Sequence, residues 1–126
     1  VIVGSGVDLC EVDRIRKAVD SPHGSRFVER VFTAREAAYA RRRAQPYERF
    51  AARFAAKEAG MKALGTGWRG GVTWHDFEVV NLPSGRPTLV LHGRAAELAE
   101  KLRVRNIALS ITHTAVQALA MVTLED

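Results

Sequence analysis

The spacing of apolar residues changes several times along the chain, and those changes divide it into elements. Val1 to Leu9 is rich in Val, Ile and Gly without helical periodicity, which predicts a buried strand ending where acidic residues begin. Val12 to Val19 predicts a short helix. Ser21, Pro22, His23 and Gly24 form a loop, after which Ser25 is placed to cap a further turn containing Phe27, Val28 and Val31. Thr33 with Glu36 three residues later is a capping-box pattern, and it opens an Ala/Arg-rich helix running to about Ala44. Pro46 restarts the helical pattern. Tyr47 to Leu64 is the longest predicted helix, and Gly65 stands where a C-cap glycine belongs.

Beyond the glycine-rich stretch Gly65 to Gly71 the pattern becomes that of strands. Val72 to Asn81 and Arg86 to Leu91 are joined by Pro83, Ser84 and Gly85, a turn composition that predicts a hairpin. Gly93 to Leu102 reads as an amphipathic helix, and Asn106 to Thr114 and Val116 to Leu124 as two closing strands. The expected class is α+β: one small domain over residues 1–126, with a mainly antiparallel sheet packed against the long helix.

Composition narrows the setting. With 126 residues and 47% hydrophobic content, the chain suits one compact core. Cys10 has no second cysteine to pair with, so a reducing cytosolic setting is the default expectation. No charged segment followed by a long apolar run opens the chain and no run of about 18 apolar residues occurs, so neither a signal peptide nor a membrane span is expected. The net charge of +5 arises in residues 1–63, which hold thirteen Lys/Arg against eight Asp/Glu. That surplus suits a polyanionic partner: nucleic acid, acidic protein or phosphorylated cofactor. Against nucleic acid, the chain has no helix-turn-helix, zinc or RNP-type motif, and its basic residues are not interleaved with aromatics.

Several charges fall where burial makes them costly. At about 100° per residue, Phe50, Phe54, Met61 and Leu64 share one side of the long helix while Ala52, Ala56, Ala59 and Ala63 line the other. Lys57 projects within the large apolar stripe, Glu58 lies at its edge, and Lys62 is four residues beyond Glu58. Such charges must be paired or hold an ion; a Glu58–Lys62 pair on a partly exposed face is the simpler alternative. Asp8 shares a strand side with Ile2, Gly4 and Gly6, and is open to reading as a helix N-cap or as a metal ligand. His113 ends the apolar face Ile107, Leu109, Ile111, and His23, His75 and His92 show no zinc spacing with it. The Gly65 to Gly71 stretch is at most a weak phosphate nest, and a plain connection suffices.

Three segments, in order, resemble the holo-acyl-carrier-protein synthase family of phosphopantetheinyl transferases. They are Gly6-Val7-Asp8-Leu9 with Glu11, Val12, Arg14 and Ile15; Arg53-Phe54-Ala55-Ala56-Lys57-Glu58-Ala59 with Lys62; and Ser110-Ile111-Thr112-His113-Thr114. The resemblance implies a magnesium site at Asp8 and Glu58, with Lys62 neutralising the pyrophosphate of coenzyme A. It implies further coenzyme contacts from Gly65, Gly85, Arg86, Pro87, His113 and Thr114. Arg14, Arg26 and Phe27 would dock an acidic acyl carrier protein. Cys10 occupies a position where the larger, monomeric branch of the superfamily has a second metal carboxylate, so water is expected there instead.

The implied reaction moves phosphopantetheine from coenzyme A to a carrier serine, releasing adenosine 3′,5′-bisphosphate. The serine proton would go to Glu58 or to water held at the metal. The small branch also implies a cytoplasmic homotrimer with active sites between subunits, serving fatty-acid or polyketide assembly.

Overall fold

The computed structural model describes every residue except Trp68, which lies within the glycine-rich connection. β1 (Ile2–Glu11), α1 (Val12–Asp20), α2 (Gly24–Val31), α3 (Ala34–Ala40) and α4 (Tyr47–Leu64) come first; β2 (Phe77–Asn81), β3 (Pro87–Leu91), α5 (Gly93–Lys101), β4 (Asn106–His113) and β5 (Gln117–Glu125) follow. The strands form two antiparallel sheets, not one: β1-β5-β4 and the hairpin β2-β3. The class is α+β, as expected. Three local expectations shift. The helix opened by Thr33 stops at Ala40, four residues early, and the expected strand from Val72 begins only at Phe77, after a 3₁₀ turn at Trp74–Asp76. Ser25 caps nothing, because α2 starts at Gly24 with His23 at its N-cap.

The core lies between α4 and the three-stranded sheet. Phe50, Ala51, Ala55, Ala56 and Ala59 of α4 are fully buried, as are Ala118, Ala120 and Val122 of β5. Small residues set the spacing. A Cβ at Gly6 would overlap the Ala59 carbonyl oxygen and come within 2.6 Å of the Ala63 amide nitrogen, so β1 touches the α4 backbone directly. Among the described residues no helix is long and apolar enough to cross a membrane.

The alternating face of the sheet away from α4 is apolar yet open. Val7 is 53% exposed, Leu9 54% and Met121 47%, and Val7 and Met121 are cross-strand neighbours. Such a contiguous apolar surface on a small domain is costly in water.

Candidate active site

Asp8 leaves β1 toward α4 beside the close contact made at Gly6, and Glu58 leaves α4 toward Asp8. The two carboxyls face each other: burial first, then the charge of Asp8 and a hydrogen bond with it, push the Glu58 carboxyl above the ordinary glutamate range. Lys62 does not pair with Glu58. Its Nζ lies 3.0 Å from Asp8 Oδ1 and donates to the Val7 carbonyl at 3.1 Å. Among the described residues no cation lies within ion-pair distance of Glu58. Nor is Asp8 a helix cap; it stands inside β1, and α1 begins after Glu11.

Cys10, two residues on, is buried, and desolvation raises its thiol to about 11. It therefore stays protonated and offers no anionic ligand. Among the described residues no third His, Cys, Asp or Glu joins the carboxylate pair. Two hard oxygen donors beside open solvent fit a divalent cation that keeps most of its water, as magnesium does, and the raised Glu58 carboxyl marks the charge such an ion would neutralise.

Lys57 has a different fate. It is fully buried, its Nζ 2.8 Å from Glu36 Oε1, and it donates to the carbonyls of Phe77 at 2.6 Å and Trp74 at 3.1 Å. Glu36 also accepts from the amides of Thr33 and Val79, both at 2.8 Å. The capping box of α3 is thus the counter-charge of the α4 lysine, a long-range pairing with no trace in local pattern.

The three residues expected to dock a carrier lie side by side. The Arg14 guanidinium stands 5.4 Å from the Phe54 ring centroid, and Phe27 stacks on the same ring at 6.4 Å. Arg26, with His23 and Arg30, flanks Phe27 at the surface. Glu58 is one helical turn from Phe54, and the Arg14 charge acts on its carboxyl, so this basic surface adjoins the carboxylate pair.

The remaining expected residues gather elsewhere. Gly85, Pro87 and His113 line a pocket of about 280 Å³ on the opposite side of α4, together with Tyr39, Arg49 and Arg53. Arg49 precedes Glu58 by nine residues, about half a rotation round the helix, so the chain holds the two clusters on separate faces of α4. Arg86 and Thr114 are not in the pocket wall; the Thr114 hydroxyl oxygen accepts from the amides of Val116 and Gln117 and closes the β4–β5 turn. Gly65 is the left-handed cap of α4 (φ 81°) with open space at its Cβ position. His113 Nδ1 sits 3.3 Å from Glu48 Oε1. The sequence reading gave Tyr39, Arg49 and Arg53 no role. The available signal was two like charges four residues apart on an otherwise small-residue helix face.

Comparison with known proteins shows the family of the chain. Residues 4–118 fit the family described as the 4′-phosphopantetheinyl transferase superfamily. The chain is 62% identical to the holo-[acyl-carrier-protein] synthase of Solibacter usitatus (strain Ellin6076), covering 100% of both chains. To that of Koribacter versatilis (strain Ellin345) it is 54% identical, again covering 100% of both. Among solved structures, the holo-[acyl-carrier-protein] synthase of Neisseria meningitidis superimposes with a TM-score of 0.89 at 29% identity, covering 100% of each chain. The Bacillus anthracis enzyme in complex with CoA (3′,5′-ADP) does so with a TM-score of 0.79 at 37% identity, covering 98% of this chain and 96% of that one. On its sequence and its fold, the chain belongs to the 4′-phosphopantetheinyl transferase superfamily, among the holo-[acyl-carrier-protein] synthases.

Proposed function

We propose that this enzyme transfers 4′-phosphopantetheine from coenzyme A to a serine hydroxyl of an apo-acyl carrier protein, with magnesium held by Asp8 and Glu58. The observation that carries the reading is the meeting of those two carboxyls beside Lys62 Nζ, 3.0 Å from Asp8 Oδ1. The serine oxygen bonds to the β-phosphorus, the bond to the bridging pyrophosphate oxygen breaks, and adenosine 3′,5′-bisphosphate leaves with the electron pair. Bound magnesium would supply neutralisation of charge on the pyrophosphate oxygens. Lys62 adds a positive charge that gains value as negative charge develops on the leaving group. The serine proton would go to Glu58 or to water held at the metal.

Coenzyme A carries a second anion, the ribose 3′-phosphate. With the pyrophosphate at Lys62, the pocket of Arg49, Arg53 and His113 suits that group, and Gly85 and Pro87 shape its wall. The two clusters face opposite sides of α4, so one complete site needs both faces from neighbouring protomers. The open apolar face bearing Val7, Leu9 and Met121 supports such self-association, and we infer a homotrimer with sites between subunits. Arg14, Arg26 and Phe27 take the acidic carrier protein next to the serine-accepting carboxylates. The carrier would serve fatty-acid or polyketide assembly in the cytoplasm, where coenzyme A and a free buried Cys10 are at home.

Intact-mass measurement of an apo-acyl carrier protein incubated with the enzyme, coenzyme A and magnesium tests the reading. One phosphopantetheine is expected to be gained, and lost with chelator or with Asp8→Ala. A gain that survives both controls would remove the metal assignment.

A further inference from the structure

The pocket on the far side of α4 holds more positive charge than its own acids balance. Arg43, Arg49 and Arg53 line it, with Glu48 as the one acid among its lining residues, and Glu48 already faces His113 at 3.3 Å. Among the described residues no carboxylate lies within ion-pair distance of Arg49 or Arg53. These two are like charges one helical turn apart, an arrangement that opposes the helix. Arg53 is only 5% exposed, and its Nε has no hydrogen-bond partner. A buried guanidinium left short of partners is expected to meet an anion.

One ring holds the array together. The Arg53 guanidinium carbon lies 3.9 Å from the Tyr39 ring centroid and that of Arg49 lies 4.0 Å from it. The Tyr39 carbonyl accepts from Arg49 Nη1 at 2.8 Å. The Tyr39 phenol is hydrogen-bonded to Asn81, whose Oδ1 accepts from Arg53 Nη2 at 2.7 Å. A carboxylate in this place would cancel the charge and occupy the N–H edges. An aromatic face attracts a guanidinium through its plane and leaves donors at its edge for a ligand.

We propose that Tyr39 is a positioning residue for coenzyme recognition, stacking Arg49 and Arg53 so that both guanidiniums are held ready for the 3′-phosphate. This rests on the pocket assignment made under the proposed function. Tyr39 touches the arginines and acts through them, so its effect falls on binding of that phosphate and not on the transfer step.

Steady-state transfer kinetics with coenzyme A and with 3′-dephospho-coenzyme A test this on the intact enzyme, Tyr39→Leu and Tyr39→Phe. Tyr39→Leu is expected to raise KM for coenzyme A about tenfold or more with kcat within about twofold, and to leave KM for the dephospho compound within about twofold. Tyr39→Phe keeps the ring and should stay within about threefold of the unsubstituted enzyme for both. An equal rise for both compounds, a fall in kcat alone, or a phenylalanine variant as impaired as the leucine one would overturn the proposal. Should Tyr39→Leu fail to fold, Arg49→Gln is read the same way: loss of discrimination between the two compounds supports the array, and its retention overturns it. An unsubstituted enzyme that transfers normally yet does not discriminate would remove the pocket assignment itself, separately from the activity.

Discussion

Lys57 and Glu36 meet as a fully buried ion pair, Nζ to Oε1 2.8 Å, with both side chains shut off from solvent. The pair fastens α4 to α3, and the two carbonyls that Lys57 also reaches fasten α4 to the approach of β2. Glu58 is the next residue, so the helix carrying the site is clamped beside it.

Removing one partner strands the other charge. Lys57→Met or Glu36→Gln alone is expected to cost about 3–5 kcal/mol in urea unfolding, while the double variant should cost clearly less than the sum. Additive losses would show that the pair does not act as a unit.

Glu78 extends this network to the surface: its Oε2 accepts from the Thr33 hydroxyl at 2.7 Å and its Oε1 lies 3.0 Å from His92 Nε2. Burial would raise its carboxyl, but the Thr33 and His92 hydrogen bonds and the Arg35 charge outweigh burial and hold it below the ordinary range. A depressed folded value means stability fully present above the unfolded glutamate value, near pH ~4.3, and lost as pH falls through the folded one. Glu78→Gln is therefore expected to cost about 1–3 kcal/mol at pH 7 and to make acid unfolding below about pH 4.3 shallower. An unchanged acid limb would show that another carboxylate governs it.

At Gly6 an alanine methyl has nowhere to go but into the Ala59 carbonyl. Gly6→Ala should force β1 from α4, cost about 1–3 kcal/mol in thermal unfolding, and lower transfer at least tenfold because Asp8 moves with the strand. Full activity with an unchanged melting temperature would show that the sheet yields without moving Asp8.

Asp8→Asn removes a repulsive neighbour of Glu58 and also an exposed Lys62 partner, two effects of opposite sign. Its melting temperature without divalent cation should stay close to that of the unsubstituted enzyme. Magnesium at about 100 times its dissociation constant should stabilise the unsubstituted enzyme by about 2.7 kcal/mol and the variant hardly at all. Equal stabilisation of both would place the ion elsewhere.

The proposed sharing of sites between subunits would let inactive subunits complement one another. Asp8→Ala and Arg49→Ala are each expected to be inactive at low coenzyme A, whereas co-expressed mixtures should recover activity in about a quarter of sites. Met121→Lys, on the open apolar face, should yield slower-associating or monomeric protein in sedimentation and lose transfer together. An active monomer would exclude the shared site.

Much of this molecule is local. The Thr33–Glu36 capping box and the Gly65 stop mark the helices they bound, because capping depends on a few adjacent residues. The motif containing Lys57, Glu58 and Lys62 pointed to the family, and the placement of charge on an apolar helix said that those charges needed partners. Which partners they took was decided only by tertiary structure. Lys57 found Glu36, Lys62 found Asp8 instead of Glu58, and Tyr39 came to lie between two arginines of another helix. The premature end of α3 at Ala40 and the division of the strands into two sheets have the same origin. Helix periods and caps arise from interactions within a few residues, whereas the pairing of buried charges depends on which surfaces the packed chain brings together, and the hydrophobic effect that packs them is non-directional.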